Sequence, residues 1–155
     1  MCIRDRLNFN LKLVKLKREK PEYKNLKYKK VLSYLSKMDN SQSDIGLVFN
    51  KRLLETGTSN LLFVKDQKFF TPKKGYYEGN TYKFFKTKIK KIMKKDILLK
   101  EINDYDEILL LGSGKGVTSV KTINEIKWKR KNLDKFRFLS KYYNTAINKC
   151  NSYRF

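Results

Sequence analysis

The sequence predicts an α+β domain, on three observations. Strand-like and helix-like stretches are mixed without the regular βαβ alternation of a doubly wound sheet. A hairpin dominates the middle of the chain: residues 55–72, ETGTSNLLFVKDQKFFTP, read as a strand entering a Gly-containing bend, a second strand over 61–64, a tight turn, and a third strand closing at Pro72. Two further stretches carry apolar residues at helical spacing with polar or Lys-rich faces opposite.

Taken in order, residues 7–13 alternate apolar and polar (Leu7, Phe9, Leu11, Leu13), a half-buried strand, and Pro21 ends that region. Residues 25–37 read as a helix with Leu26, Val31, Leu32 and Leu35 on one face, followed by a polar loop at 39–43. A strand over 45–49 turns at Asn50-Lys51 and returns through Leu53 and Leu54 to Glu55. After Pro72, a loop with Gly75 and Gly79 leads to Asn80 or Thr81 as N-cap of a helix bearing Tyr82, Phe85, Ile89, Ile92 and Met93. Residues 97–101 read as a short strand, 103–107 as a turn of helix, 108–111 as a fully apolar strand and 117–123 as another strand. Phe136, Leu139, Tyr142, Tyr143, Ala146 and Ile147 give the face of a closing helix.

Glu55 is the most telling residue of the hairpin. A carboxylate at the end of an apolar run, followed at once by small and polar residues, sits beside a bend, and a charge in such a place needs a partner.

Composition bounds what that partner can be. At 155 residues the chain holds one domain or half of a larger enzyme, and 40% hydrophobic with 14% aromatic residues is enough for a core. Lys and Arg number 37 against 15 acids, a net charge of +22 with no His. Such a balance admits a nucleic-acid or acidic-surface binder. The excess is mostly Lys, with frequent Asn and a single Trp, a bias that an AT-rich coding sequence imposes on exposed positions without any function attached. The absence of His excludes Ser-His-Asp and Cys-His catalysis and most zinc sites. Cys2 and Cys150 lie near opposite ends without CxxC spacing, as expected of reduced thiols in a cytoplasmic protein. No run approaches transmembrane length, and Arg4, Asp5 and Arg6 stand where a signal peptide has its apolar core. The opening MCIRDR differs in character from the rest of the chain and reads as translated adaptor sequence. The expected organisation is therefore an artefactual tail at 1–6, a remnant of a preceding region at 7–22, a main domain at 23–150 and a tail at 151–155.

Two stretches can hold an anion. Gly79-Asn80-Thr81 opens a helix, where free backbone N–H groups and the dipole favour phosphate. Gly112-Ser113-Gly114-Lys115-Gly116 follows a buried strand and can form a nest of amides with Ser113 as a hydroxyl donor. It is not a P-loop, since Gly116 stands where Ser or Thr is required.

In this order the motifs resemble the fold-type IV pyridoxal phosphate enzymes, or class IV aminotransferases. They are Lys24-Asn25-Leu26-Lys27-Tyr28, then Glu55-Thr56-Gly57-Thr58-Ser59-Asn60-Leu61-Leu62-Phe63, Thr71-Pro72, Gly79-Asn80-Thr81, and Gly112 to Gly116 leading into Val117-Thr118-Ser119-Val120. The family includes branched-chain and D-amino acid aminotransferases and 4-amino-4-deoxychorismate lyases. The resemblance implies its C-terminal domain, a mixed, partly barrel-like sheet flanked by helices, with the N-terminal domain truncated.

It further implies that Lys24 is the catalytic Schiff-base lysine, first a nucleophile and then the base that moves the Cα proton. Glu55 would pair with the pyridinium nitrogen. Tyr28 and Asn60 belong to the same cofactor site, the Asn80 and Thr81 amides hold its phosphate, and Ser113 adds a donor. Gly114 and Lys115 occupy the positions whose amides meet the substrate carboxylate. The second turn departs from the Gly-Thr-Ala-Ala-Glu of the aminotransferases, and a Lys115 cation there suits a substrate with more carboxylates. The Lys24-x-Leu26-x-Tyr28 form is similar to the lyase and D-amino acid branches, and together these features favour 4-amino-4-deoxychorismate lyase, which releases pyruvate to leave 4-aminobenzoate, with a branched-chain or D-amino acid aminotransferase as the alternative. The implied partners are a small-molecule amino-group substrate and a second copy in a homodimer, without a membrane.

Overall fold

The apolar runs become the strands of one mixed sheet, because a run that is hydrophobic on both faces must be covered on both. The computed structural model describes residues 6–150; residues 1–5, with Cys2, and the tail 151–155 lie outside the described residues. The strands are β1 (Phe9–Lys15), β2 (Ser43–Phe49), β3 (Arg52–Thr56), β4 (Asn60–Lys65), β5 (Lys68–Pro72), β6 (Ile92–Lys95), β7 (Glu107–Gly112), β8 (Gly116–Ile123) and β9 (Trp128–Lys129). Their order is β3-β2-β1-β8-β7-β4-β5-β6, with β9 on β8. β1 runs parallel to β2 and β8, and β6 parallel to β5; the other pairs are antiparallel. Three α-helices flank the sheet: α1 (Lys29–Leu35), α2 (Asn80–Lys88) and α3 (Asp134–Cys150).

The sheet curls into a partial barrel. β3, at one end of the strand path, packs back on β4 and β5. The N–H groups of Leu53 and Leu99 reach the carbonyls of Ile97 and Lys51, each at 2.9 Å, and so tie β3 to the segment after β6. Alternation along β4 divides its side chains between two cores. Leu61 and Phe63 enter the cluster inside the curl with Phe9, Leu53, Ile108 and Leu110, whereas Leu62 and Val64 pack with Tyr82 and Phe85 of α2 and Phe136 and Leu139 of α3. A third cluster sets Val31 and Leu35 of α1 on Ile45 and Leu47.

Two of the hairpin turns, β2–β3 and β4–β5, have positive φ at both central residues, Asn50 (49°) with Lys51 (60°) and Asp66 (48°) with Gln67 (64°). That twist matches flanking strands, and Asn or Asp in first place tolerates it best.

Several boundaries differ from the sequence expectation, each for a physical reason. The first helix begins at Lys29 instead of residue 25. Asn25 Nδ2 donates to the carbonyls of Glu19 (3.0 Å) and Lys20 (3.2 Å), and its Oδ1 accepts the Lys27 N–H (3.0 Å), bonds that compete with helix formation. Leu26, expected on the buried face, is 99% exposed, and Leu32 is also exposed. α2 stops at Lys88, and Ile92 and Met93 pair with Phe69 and Phe70 in β6, satisfying an edge of β5 that a longer helix would leave open. The strand expected at 97–101 is instead a 3-10 helix over Leu99–Asp104. Gly79, not Asn80 or Thr81, is the N-cap of α2. Residues 9–15 form a central strand between β2 and β8, integral to the sheet. β9 is an addition of two residues whose Trp128 is buried, its Nε1–H donating to the Tyr105 carbonyl at 3.1 Å.

The start of α3 is capped from the sheet. Glu107, wholly buried at the head of β7, accepts the N–H groups of Lys135 (2.8 Å) and Phe136 (2.9 Å), and so closes two of the orphan donors of the first turn. Burial pushes its carboxyl up from the ordinary range, against the pull of those two donors. Glu107→Ala should cost about 2 kcal/mol of stability, with Glu107→Gln losing about half as much because one acceptor oxygen remains. Chemical denaturation followed by circular dichroism checks both values.

Candidate functional site

One cavity gathers the loop after β1, the end of β3 with the bend into β4, the start of α2, and the turn after β7. Lys24, Tyr28, Glu55, Asn60, Asn80, Thr81 and Ser113 all line it, although they come from four separate stretches of the chain. Gly114 and Lys115 do not line it.

The partner that Glu55 requires is Arg18. Both side chains are buried, at 4% and 6% exposure. Arg18 Nε donates to Glu55 Oε1 at 2.5 Å and Nη2 to Oε2 at 2.7 Å, a bidentate pair. The third guanidinium nitrogen, Nη1, donates to the Tyr28 hydroxyl at 2.8 Å, and the guanidinium lies 5.1 Å from the centre of the Tyr28 ring. Burial pushes the Glu55 carboxyl up, against the pull of Arg18 and the Tyr77 N–H. Burial also opposes the Arg18 charge, but its bonds to Glu55 outweigh that and raise it. These two tendencies conflict over whether the pair is ionised. Two short N–H contacts, one on each oxygen, leave no proton on that edge of the carboxyl, and we take the pair as charged. A carboxylate has about four acceptor sites. Two go to Arg18 and one to the Tyr77 N–H at 3.3 Å, which leaves one on Oε1.

Lys24 is exposed in the loop between β1 and α1, where Asn25 fixes the backbone beside it. An exposed ion pair of Lys27 with Glu19 at 2.7 Å crosses the same loop. Lys24 therefore lines the cavity from an exposed loop whose backbone is held on one side.

The opposite wall is the start of α2. Asn60 lines the cavity, but both ends of its amide are engaged: Oδ1 accepts the Gly79 N–H (2.9 Å) and Nδ2 donates to the Tyr77 carbonyl (2.6 Å). It thereby aims the helix without capping it. Gly79 offers no side-chain cap, so the first N–H groups of α2, at Asn80 and Thr81, remain as anion donors together with the helix dipole. Ser113 faces them from the β7–β8 turn. Gly112 has to be glycine: a Cβ there would lie 2.5 Å from Ser59 Oγ.

The Lys115 side chain turns away from the cavity, and its Nζ meets Asp44 Oδ2 at 3.3 Å. Arg18 is the functional residue that the sequence reading missed. Its signal was indirect, a buried Glu55 in need of a cation, and nothing in the spacing selects Arg18 from the many bases. Among the described residues no cluster of three or more His, Cys, Asp or Glu could hold a metal ion, and no helix is long and apolar enough to cross a membrane.

Solved structures share this fold. A 4-amino-4-deoxychorismate lyase from Pseudomonas aeruginosa superposes with a TM-score of 0.71 at 18% identity, over 86% of this chain and 53% of the other. A branched-chain amino acid aminotransferase from Thermobaculum terrenum, in its PLP-bound form, gives 0.76 at 17% identity, over 90% and 51%. A fold IV transaminase from Curtobacterium pusillum gives 0.74 at 16% identity, over 94% and 55%. The chain thus spans about half the length of the structures it resembles. No curated protein matches it by sequence. Residues 7–123 match the family described as Amino-transferase class IV, which is most of the chain and every wall of the cavity; the protein belongs to the class IV aminotransferase family.

Proposed function

We propose that this chain forms the pyridoxal phosphate-binding half of an enzyme that works at the amino-bearing carbon of a small molecule. The supporting observation is the meeting, in one cavity, of an amine, a buried ion-paired carboxylate with one acceptor site left, and an uncapped helix start facing a Ser hydroxyl. That donor set fits the cofactor's aldehyde, ring nitrogen and phosphate in turn. When bound, pyridoxal phosphate supplies an electron sink for the pair left at the substrate Cα.

The residues then have distinct tasks. Lys24 Nζ would hold the cofactor through its aldehyde and would take the proton from the substrate Cα. Glu55 Oε1, with its one open acceptor site, would hold the ring nitrogen in its protonated form, while Arg18 fixes the angle of that carboxylate. The Tyr28 hydroxyl, already tied to Arg18, would help to hold the ring in this cavity. The Asn80 and Thr81 amides, the Thr81 hydroxyl and Ser113 bind phosphate, and Asn60 acts by holding residues 77–79. The backbone amide of Gly114 would meet the substrate carboxylate at the cavity's edge, whereas the Lys115 N–H already donates to the Gly112 carbonyl at 3.2 Å.

For the reaction we propose 4-amino-4-deoxychorismate lysis to pyruvate and 4-aminobenzoate, by a cytoplasmic homodimer. The Lys24-x-Leu26-x-Tyr28 form supports this branch over the branched-chain aminotransferases. The Lys115 ammonium, which the sequence offers as a receptor for extra carboxylates, lends it no support, because that charge is paired with Asp44.

Two experiments test these proposals. With pyridoxal phosphate, the full-length protein should show an absorption band at about 410–430 nm that Lys24→Ala abolishes. Adding 4-amino-4-deoxychorismate should then release pyruvate with no 2-oxo acid present; turnover only with such an acceptor would make the protein an aminotransferase, and no Lys24-dependent band would end the enzyme reading. Separately, Arg18→Met should cost about 3–5 kcal/mol by leaving Glu55 charged and alone, with most of the loss recovered in Arg18→Met/Glu55→Gln. Denaturant titration of the three proteins measures this.

A further inference from the structure

Asp44, at the head of β2, lies outside the cavity and is wholly buried. Its Oδ1 accepts the Ile45 N–H at 2.8 Å. Its Oδ2 accepts three groups: the hydroxyls of Thr56 (2.8 Å) and Thr58 (2.6 Å), and the Lys115 ammonium (3.3 Å). Lys115 is 71 residues away in sequence and its side chain is 11% exposed. Its Nζ also sits 4.7 Å from the centre of the Phe9 ring, so a counter-ion and an aromatic face together house the charge.

The groups that Asp44 collects belong to the cavity walls. Thr56 ends β3 and Thr58 is in the bend that leads to β4, and Thr56 Oγ1 in turn accepts the Ser59 N–H at 2.8 Å. Lys115 is two residues beyond Ser113 in the β7–β8 turn. β4 and β7 pair antiparallel with Asn60 opposite Leu111, so the bend before β4 and the turn after β7 lie side by side. The two lie close enough that a Cβ added at Gly112 would stand 2.5 Å from Ser59 Oγ and 3.2 Å from the Thr58 carbonyl oxygen.

We propose that Asp44 and Lys115 are a positioning pair. From behind the cavity they lock the bend and the turn in register, set Ser113 against the start of α2, and withhold the Lys115 charge from the substrate. The inference rests on the pyridoxal phosphate reading above. It makes Lys115 neutral in substrate choice, so discrimination between one and two carboxylates must come from elsewhere in the protein.

The test uses the full-length protein with pyridoxal phosphate, the Lys24-dependent band reporting cofactor affinity. Lys115→Met should weaken cofactor binding about tenfold, as loss of an outer supporting residue does. Asp44→Asn/Lys115→Met removes both charges and with them the link between β2 and the turn, while keeping an acceptor for the threonine hydroxyls, and should likewise weaken cofactor binding about tenfold. Lys115→Met/Ser113→Ala should bind within about threefold of Ser113→Ala alone, because the lysine acts through the serine. The ratio of apparent affinities for glutamate and alanine, amino donors that differ by one carboxylate, should be the same in the unmutated protein and the double-charge variant. Unchanged cofactor affinity in Lys115→Met overturns the proposal. So does a selective loss of glutamate of about tenfold or more in the double-charge variant, which would make the ammonium a substrate receptor. Should Lys115→Met fail to fold, the double-charge variant decides alone: unchanged cofactor binding there refutes the pair. Absence of the band in the unmutated protein removes the cofactor reading and this inference with it, an outcome distinct from the others.

Discussion

A carboxylate withdrawn from water at the end of β3 obliges the surrounding chain to organise. Glu55 cannot remain charged there without a cation, and Arg18 answers from the loop that also carries Lys24. The same guanidinium reaches Tyr28 at the foot of α1. One ion pair therefore joins the hairpin, the lysine loop and the first helix. The energetics of such a pair are asymmetric: its net contribution is small, but removing either member leaves an uncompensated buried charge. Its value is in geometry, since a bidentate contact fixes the plane of the carboxylate where a single contact would let it rotate.

The fold serves that geometry by bringing loop ends together. β3, β4 and β7 end or begin at the same rim of the curled sheet, so the bend after Glu55, the turn after Leu111 and the start of α2 converge although more than fifty residues separate the first from the second. Rigid, doubly covered strands carry the loops, and the interior behind them is packed with Leu, Ile, Phe and Trp side chains. A second buried acid, Asp44, stands behind the rim with its own cation, so polar groups in this region come as satisfied sets.

Much of this was legible in the residues. The apolar runs at 61–64 and 108–111 announce strands covered on both faces, and Asn50-Lys51 and Asp66-Gln67 mark the hairpin turns because Asn and Asp accept positive φ. The need of Glu55 for a partner was legible, but not its identity, since the contact spans 37 residues with no local pattern. Where local signals were ambiguous, tertiary demand decided. Ile92 and Met93 suit a helix face or a strand, and the open edge of β5 took them. Asn25 looked like an ordinary helical position until its amide turned back on the loop. Lys115 shows the converse error: a cation beside an anion-binding turn invites a ligand role, yet a buried aspartate from another strand had already claimed it.

The curl of the sheet also bears on the unusual charge. Folding β3 back on β4 and β5, with the 97–99 segment bonded to it, covers one end of the strand path, whereas the path stops at β6 on the other. A terminal strand offers its backbone to any passing chain and is the usual seed of edge-to-edge aggregation. Here Lys94 and Lys95 lie on that strand, with Lys90 and Lys91 just before it. Lys94 and Lys95 are paired with Glu78 (3.6 Å) and Glu101 (3.5 Å), so the positive charge that discourages a second copy from pairing at this edge falls to Lys90 and Lys91 beside it.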